Sequence, residues 1–69
     1  MIEIKITTEY IKLDQFLKLS QAAQTGGHAK LLISEGIVKV NGEVSTQRGK
    51  KIRKGDIVDI VDGDKFIVK

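Results

Sequence analysis

The chain has 69 residues, of which 12 are Lys or Arg and nine are Asp or Glu, and its formal net charge is +3. A chain of this length forms one domain, 1–69, with a thin core and no room for a deep enclosed catalytic cleft. It contains no cysteine, which excludes disulfides and thiolate metal sites and favours a reducing, cytoplasmic location. The longest apolar run, 31–33, is far too short for a membrane span, and residues 1–10 are not typical of a secretory signal.

The N-terminal segment predicts a strand followed by a helix. Isoleucines at positions 2, 4 and 6 alternate with charged residues, which is the period of a strand with one buried face. Near Lys12 the apolar period changes, and Leu13, Phe16 and Leu17 then fall on one helical stripe. The first helix is expected over about 13–20 and is allowed to extend to Ala23.

A second helix is expected after a short connection. Thr25 is a favoured N-cap residue for a helix over about 26–35. Ala29, Leu32 and Ile33 would share its buried face, and Gly36 is the residue type that ends helices in the left-handed conformation. Because the connection is short, the two helices are predicted to pack as neighbours.

Short strands are predicted for the rest of the chain. Val38 and Val40 alternate with Lys39 and precede Asn41-Gly42, the strongest short hairpin signal, since a type I′ turn needs positive φ at both central positions. A return strand at Val44, a polar and basic loop over 45–51, and strands over 57–61 and 66–68 complete the pattern. The order predicts an α+β fold, a two-helix unit packed on a small, mostly antiparallel sheet.

No catalytic constellation is visible in the sequence. The single histidine, His28, has no nucleophile motif beside it, and there is no cysteine nucleophile. The aspartates at 56, 59, 62 and 64 resemble solvated turn positions, and they lack the spacing of a calcium loop. The sequence therefore favours a protein that is not an enzyme and has no metal and no cofactor.

The positive charge is concentrated in one segment. Residues 48–54, Arg-Gly-Lys-Lys-Ile-Arg-Lys, hold five of the 12 basic residues, and the remainder has seven basic against nine acidic residues. A local cationic patch on an otherwise near-neutral domain favours a polyanionic partner, although charged runs are often only solvated loops. Arginines can contact phosphates bidentately and lysines act as point charges. Ile52 is expected to anchor the loop by packing inward.

Two glycines open the second helix, in Thr25-Gly26-Gly27-His28. Glycine in a helix costs roughly 1 kcal/mol relative to alanine. The missing side chains would let a phosphate approach free backbone N–H groups at the positive end of the helix. The alternative is a tight or flexible turn between the helices, and His28 would lie either beside the phosphate or simply in solvent.

Aromatic residues are scarce, which bears on the kind of RNA that such a surface would bind. The three present are Tyr10, Phe16 and Phe66, and Phe16 belongs to the core stripe. There is no interleaved aromatic platform on which single-stranded bases would stack. Any RNA recognition is therefore expected to use the shape and phosphates of structured RNA.

An ordered set of motifs resembles a known module over about residues 11–61. The set is Lys12-Leu13-Asp14-Gln15-Phe16-Leu17, Ala29-Lys30, Leu32-Ile33, Gly36, Val38-Lys39-Val40-Asn41-Gly42 and Lys54-Gly55-Asp56. It resembles the alpha-L RNA-binding domain named after ribosomal small-subunit protein four, and in particular the stand-alone bacterial YaaA or YbcJ type. The resemblance implies binding of structured RNA, with ribosomal RNA first and transfer RNA second, by a ribosome-assembly or ribosome-associated factor that contacts the ribosome or its precursor particles. A membrane-surface role is not expected, because no segment pairs a basic face with a broad apolar one.

The resemblance also assigns residues at matching positions. Lys12 takes the basic position before Leu-Asp, Thr25 and Gly26 replace a Ser-Arg pair, and Lys30 follows as in the pattern. Gly26 and Leu31 stand where basic residues are usual, so helix-borne charge is reduced. Together with the basic segment and the helix start, the predicted RNA-binding residues are Lys12, Thr25, Gly26, Gly27, His28, Lys30, Arg48, Lys50, Lys51, Arg53 and Lys54.

A second class of function remains open. The start Met1-Ile2-Glu3-Ile4 and the later Gly-Asp-Ile-Val faintly resemble a sulphur-carrier protein of β-grasp type. Two helices between the strands fit that class poorly. A protein–protein adaptor that uses the same basic surface against an acidic partner is the remaining alternative.

Overall fold

The alternating isoleucines form the first strand of a five-stranded sheet. The computed structural model describes residues 1–69. The first strand, β1 (Ile2–Ile4), is shorter than predicted: Ile6 is buried but lies outside it. The chain then forms β2 (Ile11–Lys12), α1 (Leu13–Leu19) and α2 (Gly26–Ser34). The remaining elements are β3 (Val38–Val40), β4 (Glu43–Val44), β5 (Lys51–Ile52), β6 (Ile57–Ile60) and β7 (Lys65–Val68).

The large sheet is mostly antiparallel. Its strand order is β1-β7-β6-β3-β4, and only β1 and β7 run parallel. Both helices follow β2 and pack against each other and against one face of this sheet. No helix is long and apolar enough to cross a bilayer. The α+β architecture predicted from the sequence is confirmed.

The buried face of the sheet and the two helices enclose one core. Phe16 of α1 meets Phe66 of β7 edge to face, with ring centroids 6.0 Å apart and an interplanar angle of 82°, a favourable arrangement for aromatic rings. Burial of these side chains supplies the main driving force for folding. The other fully enclosed side chains are Leu13, Leu17, Ala29, Ile33, Val38, Ile52, Val58 and Val68.

The first helix ends earlier than its longest predicted extent. Gln21 adopts a left-handed conformation with φ 64°, which breaks the helix before Ala23. Two carbonyls of the last turn accept hydrogen bonds from the residues that follow: the Gln21 N–H donates to Lys18 O (3.1 Å) and the Ala23 N–H donates to Leu17 O (3.0 Å). Ala23 is nevertheless buried, which explains its apolar character.

The second helix begins and ends as predicted. The Thr25 hydroxyl accepts from the His28 N–H at 3.0 Å, which satisfies one of the free donors of the first turn. At the other end Gly36 has φ 73°, and its N–H donates to Ile33 O at 3.1 Å. This is the left-handed glycine ending expected after residue 35.

The Asn-Gly hairpin also has the predicted geometry. Asn41 and Gly42 have φ of 52° and 87° and form the two-residue loop between the paired residues Val40 and Glu43. Positive φ at both positions is the requirement of a type I′ turn. Val44 lies on the return strand as predicted.

One region was predicted wrongly. Residues 45–51 were expected to form a loop, but Lys51 belongs to β5, which pairs antiparallel with β2 as a separate two-stranded sheet. We call these two strands the ribbon. Neither strand was predicted, because two residues are too few to show a period.

Candidate nucleic-acid interface

The ribbon fixes the basic segment to the start of α1. The Leu13 N–H donates to Lys50 O at 2.9 Å, and the Asp14 N–H donates to Arg48 O at 3.1 Å. Ile52 is fully buried in the core, which confirms the predicted anchor. Because the segment is held by backbone and by core, it loses less conformational freedom on binding than a free tail would.

The outer face of the ribbon carries two facing lysines. Ile11 pairs with Ile52 and Lys12 pairs with Lys51. Since neighbouring side chains on a strand point to opposite faces, the isoleucines lie toward the core and both lysines are exposed. Like charges directly opposite each other across strands are destabilising. Folding therefore does not explain this pair, and an anionic ligand would relieve its repulsion.

A groove lies between α2 and the basic segment. It has a volume of about 350 Å³, and its lining includes Gly27, Lys30 and Leu31 of α2 together with Thr46 and Arg48 across from them. Cationic Lys30 and Arg48 therefore stand on its two sides. The structure thus brings two of the predicted helix residues next to the basic segment.

The groove and the ribbon adjoin at Arg48. The carbonyl of Arg48 binds the first turn of α1, directly after Lys12, while Arg48 also lines the groove. The groove and the ribbon are therefore contiguous through Arg48.

Thr25 and His28 cap the start of α2 jointly. Thr25 accepts from the His28 N–H, and the His28 ring nitrogen Nδ1 accepts from the Gln24 N–H at 3.3 Å. This arrangement is related to a capping box, with histidine in place of the usual Glu or Gln and with the donor N–H one residue before the N-cap. Both side chains therefore have a structural role, whatever else they contact.

Gly26 and Gly27 are not explained by backbone conformation or by packing. Both lie within α2, and neither has positive φ. A Cβ on Gly26 would meet nothing within 4 Å, and one on Gly27 would meet only the Thr25 hydroxyl at 3.9 Å. Their N–H groups make no hydrogen bond within the protein. A tight turn is thus not the reason for the glycines.

The remaining basic residues do not all converge. Lys50 lines a different hollow of about 400 Å³, with Glu43, Gln47 and others, which meets the groove at Thr46. Arg53 extends the ribbon beside Tyr10. Lys54 is exposed in the turn before β6 and lines neither the groove nor this hollow.

The basic side chains are free to bind an external anion. None of the ten side-chain hydrogen bonds of the structure is made by a lysine or arginine side chain. No group of three or more His, Asp or Glu side chains is placed to hold a metal ion.

Sequence reasoning missed three residues of this region. Tyr10 was noted only as one of few aromatics, yet it lies under two cations. Thr46 and Ser34 line the groove. A prediction of the ribbon would have found Tyr10, because its register places Tyr10 beside the basic strand, whereas the two polar residues carry no local signal.

Two helices packed on a mostly antiparallel sheet match the alpha-L motif class. The solution structure of YbcJ from Escherichia coli, described as an alpha-L motif involved in RNA-binding, superposes with a TM-score of 0.74. It is 33% identical and covers 99% of this chain and 86% of that one.

The family assignment rests on the sequence as well. The S4 domain family matches residues 4–69, and the chain belongs to this family. The predicted resemblance is therefore confirmed, including that to YbcJ.

Three relatives show the range of proteins that contain a similar sequence. A probable ribosome maturation protein, RlbA of Bacillus subtilis (strain 168), is 51% identical over 57 residues, 83% of this chain and 80% of that protein. The putative RNA-binding protein YbcJ of Escherichia coli (strain K12) is 41% identical over 49 residues, 71% of this chain and 70% of its own. An uncharacterised RNA pseudouridine synthase of Aquifex aeolicus (strain VF5) is 34% identical over 58 residues, 84% of this chain but only 18% of the enzyme.

Proposed function

We propose that this protein binds structured RNA without catalysing a reaction on it. Its partner would be ribosomal RNA, and its role ribosome assembly or association with the ribosome in the cytoplasm. The names of the relatives RlbA and YbcJ support this proposal, since both point to RNA or the ribosome and both match most of the chain.

The observation that carries the proposal is the placement of unpaired cations. Lys12 and Lys51 face each other on the ribbon, and Lys30 and Arg48 flank the adjoining groove. An array of exposed cations on an ordered backbone suits the phosphates of a folded RNA, which supply most of the affinity of such complexes. Gly27, whose N–H makes no hydrogen bond within the protein, also lines this groove, and Gly26 precedes it in the first turn of α2.

A catalytic role has no support in the arrangement of side chains. The single histidine is occupied in capping α2, and the hydroxyl-bearing residues of the groove, Ser34 and Thr46, share its lining with no histidine, aspartate or glutamate that could act as a general base. The relative named as a pseudouridine synthase shares 18% of its length with this chain, so its activity does not transfer through the match.

The test compares two charge-matched double variants in binding to purified ribosomal RNA. Lys12→Ala with Lys51→Ala removes the facing ribbon lysines. Lys39→Ala with Lys65→Ala removes two lysines from the large sheet, on the face away from the helices, where each is paired in register with Asp59. We expect the ribbon variant to bind about tenfold more weakly, since two phosphate contacts are lost, and the sheet variant to bind as the wild type does.

The same measurement separates the alternatives. Equal loss in both variants would mean that only net charge matters and would contradict a defined interface. Transfer RNA as competitor would show whether the preference is for ribosomal RNA. An association with a protein from cells that survives nuclease treatment and needs Lys12 and Lys51 would favour the adaptor.

A further inference from the structure

Tyr10 shares the outer face of the ribbon with its basic residues. The pairing of Ile11 with Ile52 and of Lys12 with Lys51, continued by one step, places Tyr10 opposite Arg53. Alternation along each strand then puts Tyr10 and Lys12 of one strand, and Arg53 and Lys51 of the other, on the same side. Tyr10 is thus opposite one cation and diagonal to another.

The side chains make the contacts that this register allows. The Lys51 ammonium lies 4.9 Å from the centroid of the Tyr10 ring, and the Arg53 guanidinium carbon lies 6.0 Å from it. Both distances are within the range of cation–π attraction. The two strands also bring opposite and diagonal side chains close enough for such contacts.

The ring is not explained by the core. Tyr10 is 37% exposed, lies outside the hydrophobic core cluster, and its hydroxyl makes none of the side-chain hydrogen bonds of the structure. The polar partners that the structure gives the ring are the two cations. An aromatic ring under two like charges offsets the repulsion that would otherwise drive their flexible side chains apart.

From this geometry we propose that the outer face of the ribbon is a preordered phosphate-binding site and that Tyr10 is its positioning residue. The ring holds Lys51 and Arg53 extended on the same side as Lys12, so that three cations meet successive phosphates of the RNA backbone. Residues two apart on a strand are about 6.6 Å apart, which spaces Lys51 and Arg53 for two separate phosphates. The inference rests on the proposed RNA binding and deepens it.

A positioning role differs from a direct contact in two measurable ways. Without the ring the cations keep their charge and still reach phosphate, but more side-chain freedom is lost on binding. Affinity then falls while the number of phosphates contacted, read from the slope of log K against log salt concentration, stays the same. The effect also disappears when the two cations are absent.

The experiment is a cycle of variants titrated with ribosomal RNA at several salt concentrations. Tyr10→Leu removes the ring and keeps apolar bulk, Tyr10→Phe is the matched control that keeps the ring, and each is also made with Lys51→Ala and Arg53→Ala. We expect Tyr10→Leu to bind about fivefold to tenfold more weakly with an unchanged slope, Tyr10→Phe to bind as the wild type, and Tyr10→Leu to have no effect in the background that lacks both cations.

A second readout on the free protein keeps the inference separate from RNA binding. Ring-current shifts of the side-chain methylene protons of Lys51 and Arg53 should be present in the wild type and in Tyr10→Phe and lost in Tyr10→Leu. Circular dichroism melting shows that each variant is folded.

Three results would overturn the inference while wild-type RNA binding persists. The first is full affinity in Tyr10→Leu. The second is the same loss of affinity with and without the Lys51 and Arg53 side chains, which would make Tyr10 a direct contact. The third is the absence of the ring-current shifts in the wild type. Failure of the wild type itself to bind RNA would instead overturn the proposed function, and this site with it.

Discussion

At the scale of single residues, Asn41 joins two distant turns. Its side-chain NH₂ donates to the Asp56 carboxylate at 3.1 Å, and its side-chain oxygen accepts from the Ile57 N–H at 2.9 Å. Asp56 in turn accepts from the Arg53 N–H at 2.8 Å. The hairpin and the turn that follows the ribbon therefore hold each other, and this fixes where the basic strand leaves the ribbon.

Two substitutions at Asn41 separate its two roles. Asn41→Gly keeps the positive φ and loses the side-chain hydrogen bonds, so we expect a loss of about 1 kcal/mol in the free energy of unfolding. Asn41→Ala also forces a residue with a Cβ into φ 52° and should lose about 2 kcal/mol. Urea unfolding measures both, and equal losses would show that backbone conformation contributes nothing here.

The turn role of Asn41 was predictable from the sequence, and its bridging role was not. Asn-Gly between alternating valines is a local signal. The bonds to Asp56 and Ile57 span 15 and 16 residues, and no local pattern encodes such a contact. The same limit applies to Tyr10, whose partners Lys51 and Arg53 are remote from it in the sequence.

At the scale of elements, the ribbon and the start of α2 are the parts that matter for the proposed interface. Both helices were predicted, because an apolar stripe and end signals are readable in a single segment. The ribbon was missed, since each of its strands has two residues. Ile52 belongs to the core and Ile11 packs against it, so the ribbon is stabilised by tertiary packing that no local pattern encodes.

The glycine pair gives a test in which stability and binding move in opposite directions. Because neither position has a steric obstacle and both have helical backbone, alanine at Gly26 and Gly27 should raise the free energy of unfolding by about 0.5 kcal/mol each. If phosphate approaches the free N–H groups there, the same double variant should bind ribosomal RNA more weakly. Thermal melting and RNA titration of one sample measure both, and undiminished affinity would remove the glycines from the interface.

At the scale of the whole molecule, the proposed function depends on the meeting of charges that are remote in the sequence. Of the residues predicted for RNA binding, Lys12, Lys30, Arg48 and Lys51 are joined through the groove and the ribbon. Lys50 lines the neighbouring hollow, and Lys54 lines neither the hollow nor the groove. The clustering of charge in the sequence indicated a phosphate-binding role for the basic segment. Only the pairing of the two ribbon strands determines which face of the ribbon each of its cations occupies.

The dependence of affinity on salt tests this convergence most directly. Wild-type protein is titrated with ribosomal RNA between about 50 and 200 mM salt, with an uncharged polymer as the control. If about four phosphates are neutralised together, log K should fall against log salt concentration with a slope near −3, and binding should weaken by tens of fold over that range. A slope near zero, or equal indifference to the RNA and the uncharged polymer, would contradict a phosphate-binding surface.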